Sequence, residues 1–454
     1  MTRLAIHLND AAITLQSKDK IVYREPGFAW LNGQHLTTGN EAFSRARIDP
    51  RRIQHRFWSE LDAEPLKDSG FTHLSGADLV SRQLEQMWQS VGTDVSELYV
   101  AVPSYLESQQ LGLFLGIAGE LELPIVAMVD AAVAATRREY RNAALVHIDL
   151  GLHALMLTRL TQQDAVQSER SDVLQSCGVH ALYDCWLHTV AEAFVKQSRF
   201  DPLHTAASEQ MLVDRLGGWL TEASRSDKVS MQLDFAGVSY SAELESLSLI
   251  GAAAPIYEQI ASHLRAIFRA GETPAIQVTD RIARLPGLTD MLQARVGGEV
   301  YMLEPGATAR GTLARCRKGT GDGGVSLIRR LPWDQSAIEI SEQDAELLEV
   351  GTPTHLLHGH TAYEIGNLAL VLGSEEGQET RRITLSSDMP GLSRRHCSLL
   401  RKNGRCVLDD HSRYGTFLNG HRIDGSSVLH VGDVLRIGSP GYEFQLIVTD
   451  DSHG

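Results

Sequence analysis

The sequence predicts a multidomain protein, a long α/β region followed by a small all-β sandwich. Three observations predict it. At 454 residues the chain exceeds what one ordinary core holds and suits two or three domains. Residues 1–315 mix strand-like runs with Ala/Leu-rich helical stretches. Composition then shifts once, at a Gly/Asp-rich run over 317–324. From His355 onward, short strand-like runs alternate with turn signals over about 100 residues, the spacing of a sandwich.

The elements follow in order. Residues 4–8 and 11–16 read as a hairpin. A strand over 98–102 is closed by Pro103-Ser104, helical periodicity runs over 107–121, and 125–128 is again strand-like. An Ala-rich helix is expected over 131–141. It precedes a buried strand over 144–150, a turn at Gly151 and a returning strand over 154–160. Such alternation implies a sheet covered by helices. The glycine-rich run has no strand feeding it and no helix pattern after it, so it reads as linker rather than phosphate cradle. An acidic stretch over 338–350 extends the linker. The expected boundaries are 1–316, a linker over 317–352, and 353–450.

Composition excludes several classes. Hydrophobic content of 43% excludes wholesale disorder. No apolar run reaches the roughly 18 residues of a membrane span, and the first residues alternate apolar with polar, with no signal-peptide core. Net charge −15, from 57 acidic against 42 basic residues, argues against nucleic-acid and anionic-membrane partners. Five cysteines, an odd number without a CxxC pair, fit neither a disulfide framework nor a zinc site. A reducing cytoplasm is the expected location. None of the seven lysines follows a glycine, so no P-loop exists, and HExxH and GxSxG are absent.

The segments Gly391-Leu392-Ser393-Arg394-Arg395-His396, Asp409-Asp410-His411-Ser412-Arg413-Tyr414-Gly415-Thr416-Phe417-Leu418-Asn419-Gly420 and Val431-Gly432-Asp433 through Gly438 occur in that order. This pattern resembles the forkhead-associated (FHA) family over roughly residues 355–450. The resemblance implies a β-sandwich whose loops bind phosphothreonine peptides. A phosphate carries nearly two charges and three acceptor oxygens, so its site needs convergent donors on loops held by a rigid scaffold. Ser393 offers a hydroxyl, and Arg394 and Arg413 offer charge-assisted donors. By resemblance, Ser393, Arg394, Arg413 and Tyr414 contact the peptide. Gly373, His396, Ser412, Gly415 and Asn419 shape the loops, and Gly420 is a turn glycine.

Two departures stand out. Where the family carries Gly-Arg before the first binding loop, this chain has Gly373-Ser374, followed by Glu375-Glu376. Tyr414 replaces the Asn that holds the peptide backbone. Arg381 or Arg382 is available to restore the charge. Phosphopeptide binding and phosphate-independent protein binding both stay open, so the partner is expected to be a phosphorylated or an unphosphorylated protein.

Residues 1–315 resemble, in degenerate form, the superfamily of actin, bacterial actin-like filament proteins and heat-shock chaperone ATPases, a duplicated ribonuclease-H-like fold. The carriers are residues 4–15, Val100–Ser104, Val129–Ala135, Ile148–Gly151, Cys177–Leu182, the 276–292 segment and Glu304–Gly311, in that order. The family brings two glycine-rich hairpins to ATP phosphates and an Asp to the waters of Mg²⁺. Here the first hairpin reads Ile6-His7-Leu8-Asn9-Asp10-Ala11-Ala12. The second keeps Asp149 and Gly151 but continues Leu152-His153-Ala154, and the adenosine turn is Thr279-Asp280-Arg281-Ile282. Each Cβ at a close-approach glycine blocks backbone contact with phosphate. The degeneracy implies a scaffold without catalytic residues, cofactor or metal. His7 and His153 read as packing residues, since no matching ligand set accompanies them. The alternative is an active ATPase using ATP with Mg²⁺ through Asp10, Asp149 and Gly151. Oligomer or filament formation is compatible with either.

Overall fold

The computed structural model describes residues 2–18, 20–33, 35–67, 73–91, 95–140, 142–317, 325–334, 353–358, 361–374, 381–385, 390–402, 405–419, 421–423, 425–438 and 441–447. Glu375, Glu376, Gly420 and most of the expected linker lie outside them. The chain divides into two compact units, Met1–Ser341 and Glu342–Gly454.

The first unit holds two six-stranded mixed sheets that share the order and direction of five strands, the sixth strand lying at opposite edges in the two. In one, Thr2–His7, Ile13–Gln16 and Ile21–Glu25 form an antiparallel meander. Val95–Val102 joins the first strand in parallel, and Ile125–Asp130 joins Val95–Val102. In the other, Ala144–Leu150, Ala154–Gln162 and Ala165–Gln175 form the meander. Pro274–Val278 and Glu299–Met302 extend it in parallel. Within Val95–Val102 the apolar run Leu98 to Val102 is buried throughout, as expected of a parallel strand covered on both faces.

Helices supply the cover. Ser108–Glu120 packs Leu111, Phe114 and Ile117 into the first core. Val179–Ser198 and Ser246–Ile267 bury Trp186, Phe194, Tyr257 and Leu264 in the second. The expected helix over 131–141 is much shorter, Ala131–Ala135. Thr136 leaves the helical region, and its hydroxyl donates to Gln277 Oε1 at 2.6 Å. The buried Arg315 guanidinium then takes the carbonyls of Val133, Ala134 and Thr136. A side chain from a distant helix satisfies the terminal acceptors, so the helix stops there.

Residues 325–334, expected in the linker, belong instead to the first unit. Leu327–Ile328 pairs with Ile125–Asp130, and Arg330–Pro332 pairs with Ala165–Gln175. One short ribbon therefore joins both sheets.

The second unit is a β-sandwich. One sheet contains His355–His358, Thr361–Glu364, Thr416–Leu418, His421–Arg422, Val434–Ile437 and Tyr442–Ile447. The other contains Leu370–Gly373, Arg382–Thr384, Cys397–Lys402, Arg405–Asp410 and Ser426–Leu429. Leu372, Leu399, Leu408, Leu435 and Phe444 fill the space between the sheets.

Candidate functional site

Two loops at one end of the sandwich carry the residues singled out in the second unit. His396 ties them together. It is fully buried, its Nδ1 accepts from Ser393 N at 3.1 Å, and its Nε2 lies 3.3 Å from the Gly415 carbonyl. With Nδ1 an acceptor, Nε2 carries the proton and donates. Burial also lowers the His396 pKa, which suits this neutral form although the Gly415 carbonyl opposes the shift. The His396 carbonyl accepts from His411 N at 2.8 Å, continuing the link into the second loop.

That loop is built from local side-chain turns. Asp410 Oδ1 accepts from Ser412 N at 2.9 Å and from the Thr416 hydroxyl at 2.7 Å. Burial alone would raise the Asp410 carboxyl, but these bonds hold it below the ordinary carboxylate range. Ser412 Oγ accepts from Gly415 N at 2.8 Å. Gly415 sits at φ +98°, where a side chain would also run into Arg422. Asn419 adopts φ +50° and exchanges hydrogen bonds with Asp433 and Val434, closing the next turn.

Ser393 Oγ accepts from the Arg413 backbone N at 3.1 Å, and Ser374 N donates to the Ser393 carbonyl at 3.2 Å. Arg394, Arg395, Arg413 and Tyr414 are exposed around this junction. Gly373 is required by close approach, since a Cβ there would collide with the Arg394 carbonyl oxygen. The braced loop pair thus carries a hydroxyl, three exposed arginines and an exposed tyrosine. Residues 370–438 match the FHA domain. An FHA domain implies recognition of phosphothreonine peptides and hence phosphoprotein partners. The match lies wholly within the second unit, and no curated protein matches the chain.

Away from the FHA domain, the first unit brings Asp10, Asp149 and Gly151 together, but against each other. Asp10 Oδ1 accepts from Leu152 N at 2.7 Å, and a Cβ on Gly151 would lie 2.8 Å from that oxygen. Asn9 Nδ2 donates to Asp149 Oδ2 at 2.8 Å and to the Leu150 carbonyl at 3.1 Å. Asp149 Oδ1 also accepts from Thr279 Oγ1 at 2.9 Å and from Arg281 Nη1 at 3.3 Å. Arg281 Nη2 reaches back to the Ala12 carbonyl at 3.1 Å. His7 Nε2 lies 3.5 Å from the same carboxylate.

The electrostatics follow from these contacts. Burial works to raise the Asp149 carboxyl, yet His7 and Arg281 hold it well below the usual range. Asp10 has weaker support. Burial raises it to about 6, with the Leu152 amide opposing. The N-terminus of helix Val179–Ser198 is likewise occupied, since Val179 N and His180 N donate to the Gly151 and Leu152 carbonyls. Beside Arg281 lies a small cavity of about 20 Å³ lined by His7, Gln16, Arg24, Asp280, Glu304 and Thr308. That is room for a water molecule.

His153 packs in a stack of three imidazoles. Its Nε2 lies 2.9 Å from His55 Nδ1, and His180 stacks on His55 at 5.1 Å between ring centroids. Among the described residues no group of three His, Cys, Asp or Glu side chains is placed to hold a metal ion. Among them, too, no helix is long and apolar enough to cross a membrane. The reading of the sequence did not single out Asn9, Thr279 and Arg281 as partners of Asp149. The only available signal was that the positions normally given to glycine carry polar side chains.

Proposed function

We propose that the protein is an interaction scaffold: an actin-like platform that neither binds nor hydrolyses ATP, joined to an FHA module that reads phosphothreonine on a protein partner. The observation that carries the first half is the direct bonding of the two hairpins through Asn9, Asp10 and Arg281. In an ATPase of this superfamily the phosphates and metal lie between these hairpins. Here an internal guanidinium occupies the position of positive charge beside Asp149, and backbone donors that would serve phosphate are spent on the protein itself. The repeated sheet topology supports the duplicated fold.

The second half rests on the placement of Ser393, Arg394, Arg413 and Tyr414 on two loops that Arg413 N joins to Ser393 Oγ, with both arginines and the tyrosine exposed. The phosphate would accept a hydrogen bond from the Ser393 hydroxyl, whose oxygen itself accepts from Arg413 N. Gly373, His396, Ser412, Gly415 and Asn419 hold the loops. Capture of partners from lysate with and without phosphatase treatment tests this half. Partners lost on dephosphorylation support it, and partners retained equally refute it. Titration of the full chain with MgATP tests the other half, where saturable heat would favour the active-ATPase reading.

A further inference from the structure

Beyond the first six-stranded sheet, Ala29–Asn32, His35–Thr38 and Ile53–Gln54 form a small three-stranded sheet, with helix Gly39–Phe43 between its second and third strands. This small sheet meets the helices that cover the second six-stranded sheet along a seam. We propose that the seam is a latch operated by protons: protonation of His55 frees the small sheet from those helices.

Arg47 supplies the resting hold. Its guanidinium pairs with Asp184 of helix Val179–Ser198 at 3.1 Å and with Glu209 of helix Ala206–Ala223 at 3.3 Å. Its backbone N donates to Gln210 Oε1 at 2.7 Å, and Gln210 Nε2 donates to the Phe43 carbonyl at 3.1 Å. Phe28, Ala42 and Ile53 also pack with Leu152, from the turn of the second hairpin.

His55 supplies the sensitive part. His153 Nε2 lies 2.8 Å from the His55 carbonyl and 2.9 Å from His55 Nδ1. A carbonyl only accepts, so His153 Nε2 carries the proton and His55 Nδ1 must be bare to face it. A proton on Nδ1 would set two N–H donors against each other. It would also add a cation where basic groups already gather. His153 stacks on His55 from the hairpin turn and His180 from helix Val179–Ser198, while Arg47 and Arg56 act on it from its own segment. Phe28 adds only a ring. The acidic groups nearby are engaged: Asp184 serves His180 at 3.3 Å as well as Arg47, Glu209 serves Arg47, and Glu60 serves Arg56 at 3.2 Å. Asp214 is held by Gln210 Nε2 at 2.8 Å.

Burial first, and then His153 and His180, lower the His55 pKa to about 3. An exposed imidazole titrates at about 6.5. The closed seam therefore binds fewer protons than the open one, and acid favours opening. Arg47 keeps its charge throughout, so the hold weakens at His55.

The test places a reporter thiol in the seam, Ala42→Cys, and follows its labelling in the full chain by mass spectrometry at about pH 7.5 and about pH 5. Each rate is divided by that of the unfolded chain at the same pH. The buried Cys316 of the same unit is the internal control. Protonation of His55 alone should raise the reporter rate about thirtyfold at the lower pH, with Cys316 unchanged. Adding His55→Phe, which keeps a ring in the stack but takes no proton, should remove that thirtyfold and leave only the share of His153. Ile53→Cys as reporter, with His55→Gln, repeats the comparison in different packing. A reporter rate that does not rise overturns the latch. So does a rise of the same size in the His55 variants, or one that Cys316 shares, which would be unfolding of the whole unit.

Discussion

The Asn9 side-chain amide donates to the Asp149 carboxylate at 2.8 Å, joining residues 140 positions apart. Asn9 follows the strand Thr2–His7 and Asp149 is the next-to-last residue of Ala144–Leu150, so the bond ties the first hairpin to the second. A carboxylate meant for a hydrated metal should have acceptor sites to spare. Asp149 instead takes Asn9, Thr279, Arg281 and the Leu150 amide.

Millimolar MgATP should leave the melting temperature of the full chain unchanged. A ligand at 100 times its Kd stabilises by about 2.7 kcal/mol, which a thermal scan resolves readily. A clear upward shift with MgATP would show that the hairpins open.

Asp149→Ala should destabilise the first unit by about 3–5 kcal/mol, because it leaves the largely buried Arg281 without its counter-ion. Chemical denaturation followed by the buried Trp58 and Trp186 reads this out. The double variant Asp149→Ala with Arg281→Ala should recover part of the loss, since no unpaired charge then remains. A double variant as unstable as the sum of its singles would rule out coupling between the two.

Stability should fall as pH drops from about 6.5 toward 4. Burial, with His153 nearby, lowers the His55 pKa to about 3, and burial lowers that of His153 to about 4. Unfolded imidazoles take protons near 6.5, so below that pH the unfolded state binds more protons and gains. Asp10 works in the other sense. Raised to about 6, it takes up a proton in the fold before the unfolded carboxyl does, which offsets part of the loss. Two imidazoles outweigh one carboxyl. His55→Gln should flatten the curve of stability against pH between 6.5 and 4, and an unchanged slope would remove the imidazole stack as its cause.

Ser393→Ala should weaken binding of a phosphothreonine peptide about ten- to a hundredfold, the loss expected for one hydroxyl donor to a charged acceptor. Arg413→Ala should weaken it and also reduce its salt dependence. Anisotropy titrations at two ionic strengths separate the two effects.

His396→Ala should act on stability as well as binding. It orphans the buried Gly415 carbonyl, at about 1–3 kcal/mol, and the part-buried Ser393 N, which water can partly serve. Melting of the isolated C-terminal unit, residues 342–454, measures it, and an unchanged melting temperature would show that the two loops do not need this brace.

Much of this was legible from residue patterns. The hairpins at each sheet's start, the strand ending in Val102-Pro103 and the returning strand after Gly151 announce themselves by alternation and turn residues. The FHA loops are legible because their turns need particular residues at close spacing, such as Asp410, Ser412 and Gly415. What stayed hidden depends on contacts between distant segments. The helix after Asp130 ends early because Arg315, far along the chain, takes its carbonyls. Strands of two or three residues at 327–332 are too short to show a period. Arg281 and Asn9 are ordinary polar residues until folding sets both against Asp149, and the imidazole stack gathers three histidines from separate segments.

The ribbon at 325–334 gives the first unit a mechanical property. It is hydrogen-bonded to a strand of each sheet, and Arg137 grips its Asp334 at 2.7 Å. The chain runs on from this ribbon to the FHA domain, so a pull from that side meets the Arg137–Asp334 ion pair and the Arg330–Pro332 pairing first, and the Leu327–Ile328 pairing in the other sheet only after them.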